Sequence, residues 1–289
     1  MKVVLFCGGH GMRMRDGTSA APKPMVMIGE RPLLWHVMRY YAHYGHTEFV
    51  LCLGYGARYI KDYFLHYDET ATNDFVLSGS DREVRLLSSD IADWKITFVD
   101  TGLNASIGER LAQVRPHLDG DEFFLANYGD VLSDLPLPHV IDRFRASGAI
   151  ASLTAVPPQS SFHVLRIGDE DRVEDLTPVS RFPLWENGGF FVFRQGVFDA
   201  LLPGEDLVDG ALARLATRGE LMAYRHDGFW VPADTVKERA QLEALYQSGI
   251  RPWAVWENGG NGQRPPSVAP AEDTLVPEAR SPRTLLGQR

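Results

Sequence analysis

The most informative part of this sequence for its fold class is VVLFCGGHGMR, residues 3–13. Its first five residues are apolar without interruption, which is typical of a strand that is buried on both faces of a parallel sheet. Three glycines, Gly8, Gly9 and Gly11, follow the strand, and a glycine-rich turn lets backbone N–H groups approach a phosphate closely. The stretch therefore predicts a buried first strand that leads into an anion-binding turn.

Strand and helix patterns alternate after this turn. Pro32 opens a helix-like segment that ends near Gly45, residues 49–53 have the pattern of a second buried strand, and residues 57–67 have the spacing of an amphipathic helix. Further strands are expected at 94–99, 123–126, 150–156, 162–167, 172–176, 190–193 and 221–226, and further helices at 138–145, 206–218 and 235–248. This order predicts an α/β protein with a parallel or mixed central sheet.

The composition is that of a globular protein with an acidic surface. Of 289 residues, 44% are hydrophobic and 23% are charged, and 29 basic against 38 acidic residues give a net charge of −9. An acidic balance argues against a general nucleic-acid binder. Two cysteines, Cys7 and Cys52, cannot build a disulfide framework or a four-ligand zinc site. Because no segment has the length of a signal peptide or a membrane span, we expect a cytoplasmic protein.

The composition of the chain changes near residue 256. Residues 1–256 carry the strand and helix patterns and are expected to form one domain. Residues 257–289 contain the segment NGGNG at 258–262 and two prolines at 265–266, and they include no aromatic residue. Such a segment buries too little apolar surface to offset its ordering entropy. We therefore expect a disordered C-terminal tail, with a docking peptide as the alternative.

Two basic residues follow the first strand. Arg13 comes directly after the glycine turn, and Lys23 lies between Pro22 and Pro24, which fix the backbone on both sides. A rigidly presented ammonium group suits contact with a phosphate oxygen. The glycine spacing matches neither the dinucleotide fingerprint nor a P-loop. Taken singly, each motif is equally compatible with an ordinary loop.

Two aspartates are candidates for a metal site. Asp130 follows the buried run 123–126, at the end of a strand where open α/β sheets usually bind ligands. Asp234 precedes the last predicted helix, so it is either a functional carboxylate or the helix N-cap. If the two meet in the fold, they can hold one Mg²⁺ against substrate phosphates, because Mg²⁺ sites often use only one or two carboxylates.

In this order, the motifs resemble those of the sugar-1-phosphate nucleotidyltransferases, and they are most similar to the glucose-1-phosphate cytidylyltransferases of that superfamily. Besides the glycine turn, the matching blocks are PKPMV (22–26), LWH (34–36), GY (54–55), VDTG (99–102), GER (108–110), YGD (128–130), NGGFF (187–191), GELMA (219–223), GFW (228–230) and DT (234–235). They span roughly residues 1–256. The resemblance implies a Rossmann-like nucleotidyltransferase fold with one active-site cleft.

The resemblance also implies a reaction and its residues. A phosphate oxygen of the acceptor would attack the α-phosphorus of a nucleoside triphosphate, with CTP favoured, and release pyrophosphate. The implied catalytic residues are Arg13, Lys23, Asp130 and Asp234, the last two as Mg²⁺ ligands. The implied nucleotide-binding residues are Gly8, Gly9, Gly11, Met12, Arg13, Lys23, Thr101, Gly108, Arg110 and Gly129. The implied acceptor-binding residues are Tyr128, His163, Val179, Asn187 and Gly188.

The acceptor half departs from the family pattern. The family usually carries a Glu-Lys-Pro run before the Asn-Gly-Gly block, and Pro178 and Val179 stand where its glutamate and lysine would fall. A family glycine beside the sugar is replaced by His163, and the usual threonine before Arg13 is Met12. We expect Arg181 or Arg194 to supply the missing positive charge.

Three functional hypotheses follow from these matches and departures. The first is a nucleotidyltransferase with an unusual phosphorylated acceptor. The second is an orthodox glucose-1-phosphate cytidylyltransferase that makes CDP-glucose, and the third is a nucleotide-binding regulator without catalysis. Retention of both aspartates favours an enzyme over the regulator. We also expect a homo-oligomer.

Overall fold

The strand and helix order expected from the sequence is present in the computed structural model, which describes residues 1–9, 21–159 and 162–257. Gly11, Met12, Arg13 and the expected tail beyond Glu257 lie outside the described residues. The strands are β1 (Val3–Phe6), β2 (Met27–Ile28), β3 (Arg31–Pro32), β4 (Glu48–Leu53), β5 (Phe75–Ser78), β6 (Glu83–Leu86), β7 (Lys95–Asp100), β8 (Phe123–Asn127), β9 (Val131–Ser133), β10 (Ala151–Val156), β11 (His163–Ile167), β12 (Val173–Pro178), β13 (Glu186–Arg194), β14 (Leu221–Arg225) and β15 (Trp230–Pro232). The α-helices are α1 (Leu33–His43), α2 (Ala57–Leu65), α3 (Ile107–Val114), α4 (Leu137–Ser147), α5 (Val197–Ala200), α6 (Ala213–Thr217) and α7 (Val236–Gln247).

Seven strands form the central sheet, in the order β14-β10-β13-β8-β1-β4-β7. β8, β1, β4 and β7 pair in parallel, and so do β10 and β14. β13 runs antiparallel to both of its neighbours, β8 and β10. The sheet is therefore mixed and mostly parallel, which confirms the expected fold class.

β1 is buried on both faces, as its apolar run predicts. Val3 and Leu5 point into one hydrophobic cluster, which also contains Leu33 and Leu34 of α1. Val4 and Phe6 point into a second cluster on the opposite face, together with Leu111 of α3. Alternate side chains of a strand face opposite sides of a sheet, so an uninterrupted apolar run is stable only between two layers of helices.

One edge of the sheet collects the residues of interest. The carboxyl ends of β1, β4, β7 and β8 lie at the same edge because these strands are parallel. The first residues of β13 lie at this edge too, because β13 runs in the opposite direction. Ligands of open α/β sheets usually bind at such an edge.

Several elements were not expected from the sequence. α3 belongs to this group, as do the exposed hairpin of β5 and β6 and the two-stranded ribbon of β9 and β15. The helix expected at 206–218 begins as a π-helix over Leu207–Leu212 and continues as α6. The hairpin of β11 and β12 lies at the surface.

Within the described ranges, no helix combines the length and the apolar character that crossing a membrane requires.

Candidate active site

Three side chains that are far apart in the sequence meet at the carboxyl edge of the sheet. The Lys23 Nζ atom lies 2.6 Å from Asp130 Oδ2, and it also pairs with Asp234 Oδ1. The Lys23 side chain is 15% exposed and that of Asp234 is 44% exposed. The cluster is thus sheltered but open on the Asp234 side, as a site that admits a ligand must be.

The ribbon of β9 and β15 brings the two aspartates together. Val131 of β9 pairs with Pro232 of β15 in antiparallel register, and the Ala233 N–H donates to the Asp130 carbonyl at 2.9 Å. Asp130 directly precedes β9 and Asp234 closely follows β15. An antiparallel pair places such positions opposite one another.

Asp234 is not the N-cap of α7. That position belongs to Thr235, whose side-chain oxygen accepts from the Glu238 N–H at 3.2 Å. The Glu238 carboxylate accepts in return from the backbone N–H groups of Thr235 and Asp234, each at 2.8 Å. This capping box satisfies the helix start, so the Asp234 carboxylate remains available to Lys23.

Lys23 is presented rigidly, as its flanking prolines predict. It begins a short 3₁₀-helix over Lys23–Met25, in which Pro24 is buried and the Met25 N–H donates to the Pro22 carbonyl at 2.8 Å. Pro22 is extended, with φ of −68°. The ammonium group therefore projects from a backbone with little freedom.

Two cavities flank the cluster and share Tyr128 and Asp130. The Gly9 cavity, of about 350 Å³, is lined by Phe6, Cys7, Gly9, Lys23, Pro24, Ile107, Tyr128, Asp130, Asp206 and Val208. The Asn187 cavity, of about 390 Å³, is lined by Tyr128, Asp130, Val131, Gln159, Glu186, Asn187, Trp230, Pro232, Asp234 and Glu238. Two ligands can therefore meet at Asp130, one from each side.

Tyr128 lines both cavities. Its hydroxyl accepts from Asn187 Nδ2 at 2.9 Å, and Asn187 Oδ1 accepts from the Gly189 N–H at 3.0 Å. Gly189 has φ of +75°, and a Cβ there would overlap the Tyr128 ring, so glycine is required on both counts. Burial raises the pKa of Tyr128 to about 12, although the Asn187 hydrogen bond opposes this shift. The hydroxyl is therefore protonated at neutral pH.

The Asn187 block and the turn before Asp130 are fixed by backbone contacts. Trp230 Nε1 donates to the Gly188 carbonyl at 2.8 Å. Gly129 has φ of +75°, and its N–H donates to Asn127 Oδ1 at 2.8 Å. Of the acceptor and nucleotide residues expected here, Tyr128, Gly129, Asn187 and Gly188 thus lie together at the carboxyl edge.

Arg110 is a buried structural link. It is 2% exposed, and its guanidinium donates to the carbonyls of Gly8 at 3.1 Å and Leu53 at 3.2 Å, and to Thr101 Oγ1 at 2.7 Å. A Cβ on Gly8 would overlap this guanidinium. Arg110 and Thr101 therefore support the Gly8 turn from behind and line neither cavity. Their contact with the nucleoside stays a prediction, and the observed contacts favour a positioning role.

Gly108 serves the packing of α3. A Cβ at position 108 would overlap the Glu205 carbonyl. Only glycine therefore lets α3 approach the segment that contains Glu205 closely. Its neighbour Ile107 lines the Gly9 cavity.

The remaining acceptor candidates are His163, at the start of β11, and Val179, which directly follows β12. His163 is exposed and pairs with Pro178, and the Val179 N–H donates to the Phe162 carbonyl at 2.9 Å. In the described part of the chain, neither His163 nor Val179 lines the Asn187 cavity. Their contact with an acceptor stays a prediction.

The expected substitute cations do not reach the site. Arg194 is at the far end of β13, where it binds Glu122 at 3.2 Å and the Ala149 carbonyl at 2.9 Å. The expectation for Arg194 is wrong because a nine-residue strand separates it from the carboxyl edge. Arg181 is exposed and does not line the described wall of the Asn187 cavity.

Several lining residues were missed by the sequence analysis. Glu186 directly precedes the quoted NGGFF block and Trp230 ends the quoted GFW block, so their positions were a usable signal. Gln159 and Asp206 follow from no motif, and Asp206 also caps the π-helix by accepting from the Val208 N–H at 2.8 Å.

Comparison with known proteins gives one family and close relatives. The family model described as nucleotidyl transferase matches residues 2–231. A Bacillus subtilis protein named probable glucose-1-phosphate cytidylyltransferase is 40% identical over 258 residues, covering 89% of this chain and 100% of the relative. Glucose-1-phosphate cytidylyltransferase of Salmonella typhimurium is 37% identical over 263 residues, covering 89% of this chain and 100% of the relative.

Solved structures share the fold at lower identity. A UDP-glucose pyrophosphorylase from Acinetobacter baumannii superimposes with a TM-score of 0.64 at 19% identity, covering 89% of this chain and 96% of that chain. This similarity supports the same arrangement of strands and helices.

Proposed function

Since the chain belongs to the nucleotidyl transferase family, we propose that it transfers a cytidylyl group from CTP to a phosphorylated, sugar-like acceptor and releases pyrophosphate. The observation that carries this proposal is the cluster of Lys23, Asp130 and Asp234 between two cavities. One cavity begins at the glycine turn and the other at the Asn187 block, so the cluster lies where two phosphorylated substrates would meet.

The two carboxylates fit a divalent metal ion. The Lys23 ammonium group pairs with both Asp130 and Asp234, and this observation supports a cation site between the two carboxylates. No group of three acidic, histidine or cysteine side chains suited to a metal was found among the described residues. Two carboxylates completed by substrate phosphates are a common arrangement for Mg²⁺. When bound, Mg²⁺ would neutralise phosphate charge.

Positioning and charge neutralisation are the contributions of this chain's own residues. The acceptor phosphate is already an anion, so its attack on the α-phosphorus needs no general base. Two unit charges about 4 Å apart interact by roughly 4 kcal/mol at an effective dielectric of 20, and several such repulsions arise as the substrates meet. Lys23 offsets part of them once it turns from the carboxylates to the α-phosphate, while the Gly9 backbone holds the triphosphate.

The acceptor is proposed to differ from glucose 1-phosphate. Pro178 and Val179 replace the family's charged pair; Pro178 ends β12, Val179 directly follows it, and neither lines the described wall of the Asn187 cavity. A missing charged partner typically weakens an ionic hydrogen bond by about 1.5–3 kcal/mol, which is roughly a 10- to 150-fold loss. Glucose 1-phosphate is therefore a poor substrate in this proposal, while CTP binds normally.

Pyrophosphate release measured over a matrix of substrates tests the proposal. Each of CTP, UTP, dTTP and GTP is combined with a panel of sugar 1-phosphates, and CTP with an acceptor other than glucose 1-phosphate is expected to be fastest. An ordinary kcat/KM with glucose 1-phosphate, about 10⁴ M⁻¹s⁻¹ or above, would favour the orthodox enzyme. CTP binding without turnover on any acceptor would favour a regulator.

We further propose that the chain forms a homo-oligomer through the hairpin of β11 and β12. Leu165 and Leu176 are directly paired across the hairpin and are 48% and 60% exposed, and Ile167 on the same face is 60% exposed. A two-stranded ribbon is marginally stable alone in water. A second copy of the chain would cover this apolar face.

A further inference from the structure

The Asn187 cavity is strongly acidic. Four carboxylates line it, those of Asp130, Glu186, Asp234 and Glu238, and no Lys or Arg of the described ranges does. Asp130 and Asp234 are paired with Lys23 and are assigned to the metal, and Glu238 accepts two backbone N–H groups in the capping box. Glu186 is the carboxylate left without an assigned role.

Glu186 lies where it can contact an acceptor in the Asn187 cavity. It begins β13, pairs with Val156 of β10, and directly precedes Asn187, which binds Tyr128. Its side chain is exposed, and the hydrogen bonds and ion pairs found among the described residues do not involve it. Arg225, which is near in the sheet, instead places its guanidinium 5.3 Å from the centre of the Trp185 ring. Because no basic side chain of the described residues pairs with Glu186, its negative charge acts on a ligand that binds in the Asn187 cavity.

Two aromatic rings share this cavity with Glu186. Tyr128 and Trp230 both line it, and each has its polar atom engaged, Tyr128 with Asn187 and Trp230 with the Gly188 carbonyl. The ring surfaces are thus the parts left for a ligand. Aromatic faces attract cations, and more strongly where water is excluded.

An uncompensated carboxylate repels the phosphate of an ordinary sugar phosphate. The lysine that would offset this repulsion is absent at positions 178 and 179, and Arg181 and Arg194 do not replace it. An acceptor with its own positive charge turns the repulsion into attraction, since complementary charge selects one ligand over another.

Resting on the function proposed above, we propose that the acceptor carries a protonated amino group and that Glu186 is the residue that selects it. Its ammonium group would bind the Glu186 carboxylate beside the Tyr128 and Trp230 rings, while its phosphate faces the Asp130 and Asp234 cluster. An amino sugar 1-phosphate has this chemistry, and so does a phosphorylated amino alcohol.

Steady-state kinetics with CTP test the inference. The acceptors are glucosamine 1-phosphate and its positional amino isomers, O-phosphoethanolamine, glucose 1-phosphate, and N-acetylglucosamine 1-phosphate, in which the amine is an uncharged amide. We expect at least one amino acceptor to exceed glucose 1-phosphate in kcat/KM by about tenfold or more, and the amide to lose this advantage. Comparison of the amino sugar 1-phosphates with O-phosphoethanolamine shows whether the ammonium group belongs to an amino sugar or to an amino alcohol.

The Glu186→Gln variant assigns the preference to this residue. For the preferred amino acceptor, we expect its KM to rise about 10- to 100-fold, with kcat and the KM for CTP little changed and the melting temperature unaltered. Glu83→Gln is the matched control, because Glu83 also begins an exposed strand, β6, away from the site.

The outcomes separate this inference from the proposed function. If no acceptor releases pyrophosphate with CTP, the proposed function fails. If glucose 1-phosphate is used as well as every amino acceptor, or if Glu186→Gln affects all acceptors equally, the function stands and the selection by Glu186 is overturned.

Discussion

At the scale of single residues, one ammonium group forms ion pairs that link three segments far apart in the sequence. Lys23 contacts both Asp130 and Asp234, which are 107 and 211 residues away in sequence. Two partly buried carboxylates this close to each other repel unless a cation lies between them. In the proposed reaction, the same two carboxylates would pair with Lys23 before substrates arrive and would hold the metal ion afterwards.

Replacing either aspartate should stop the reaction without unfolding the protein. We expect Asp130→Asn and Asp234→Asn each to reduce turnover by orders of magnitude, because each ~1.4 kcal/mol of lost transition-state stabilisation is a factor of ten in rate. Circular dichroism and pyrophosphate release would be measured together. Asp142→Asn, on the exposed side of α4, is the control. A variant that keeps more than about a tenth of the wild-type rate refutes its metal-ligand role.

Stability should fall in mild acid because of His36. Burial lowers the pKa of His36 from 6.5 to about 4, although its hydrogen bond to the Ile28 carbonyl opposes this shift. Between these values the unfolded chain binds a proton that the folded chain does not, so the free energy of unfolding decreases as the pH falls from about 6.5 to 4. The contribution is about 3 kcal/mol.

Urea unfolding at several pH values measures this contribution. His36→Gln should make the profile shallower between pH 6.5 and 4, with the remaining slope from His46, whose pKa burial also lowers to about 4. His66→Gln, at an exposed position, should leave the profile as in the wild type. An unchanged profile in His36→Gln would exclude His36 as the source.

At the scale of elements, the turn after β1 assigns different tasks to adjacent glycines. Gly8 is held against the Arg110 guanidinium, whereas a Cβ on Gly9 would meet nothing within 4 Å. We expect Gly8→Ala to lower stability by about 1–3 kcal/mol. Gly9→Ala should leave stability unchanged but raise the KM for CTP, because Gly9 lines the Gly9 cavity.

Thermal unfolding and CTP kinetics, measured on both variants, test whether Gly8 serves stability and Gly9 serves CTP binding. Equal stability losses in the two variants would show that the turn is tight at both positions, and an unchanged KM in Gly9→Ala would remove Gly9 from the triphosphate site.

The sequence predicts the elements with long patterns and misses the short ones. β1 and β4 have apolar runs, and α1 and α7 have clear starts, so their positions are confirmed. β9 and β15 have three residues each and pair across about a hundred positions, too short a pattern and too distant a pairing for periodicity to reveal.

The same distinction applies to the candidate site. Lys23, Asp130 and Asp234 were identified from motifs, and the structure brings them together. Glu186 was not identified, although it directly precedes the NGGFF block, because its place at the carboxyl edge depends on the reversed direction of β13. Arg194 was misplaced for the same reason.

At the scale of the whole molecule, the segment beyond Glu257 is expected to be dispensable. Its composition predicts no packed structure, so deletion of residues 258–289 should leave the melting temperature and pyrophosphate release unchanged. A drop of several degrees, or a change in oligomer size on a sizing column, would show instead that the segment docks.

Oligomer formation should depend on the β11–β12 hairpin. We expect the double variant Leu165→Asp and Leu176→Asp to shift the mass measured by light scattering to that of a single chain, because two charges would enter the apolar contact. Leu65→Asp is the control, since Leu65 is 74% exposed on α2. A wild-type protein that is already monomeric would contradict the proposal.

The β9–β15 ribbon has a consequence for the order in which the site is completed during translation. β1, Lys23 and Asp130 are synthesised well before β15 and Asp234. Both β15 and Asp234 follow the last strand of the central sheet in sequence. A nascent chain can thus assemble much of its sheet and its glycine turn while it lacks one of the two carboxylates. Truncated products that end before residue 234 are therefore expected to be catalytically silent.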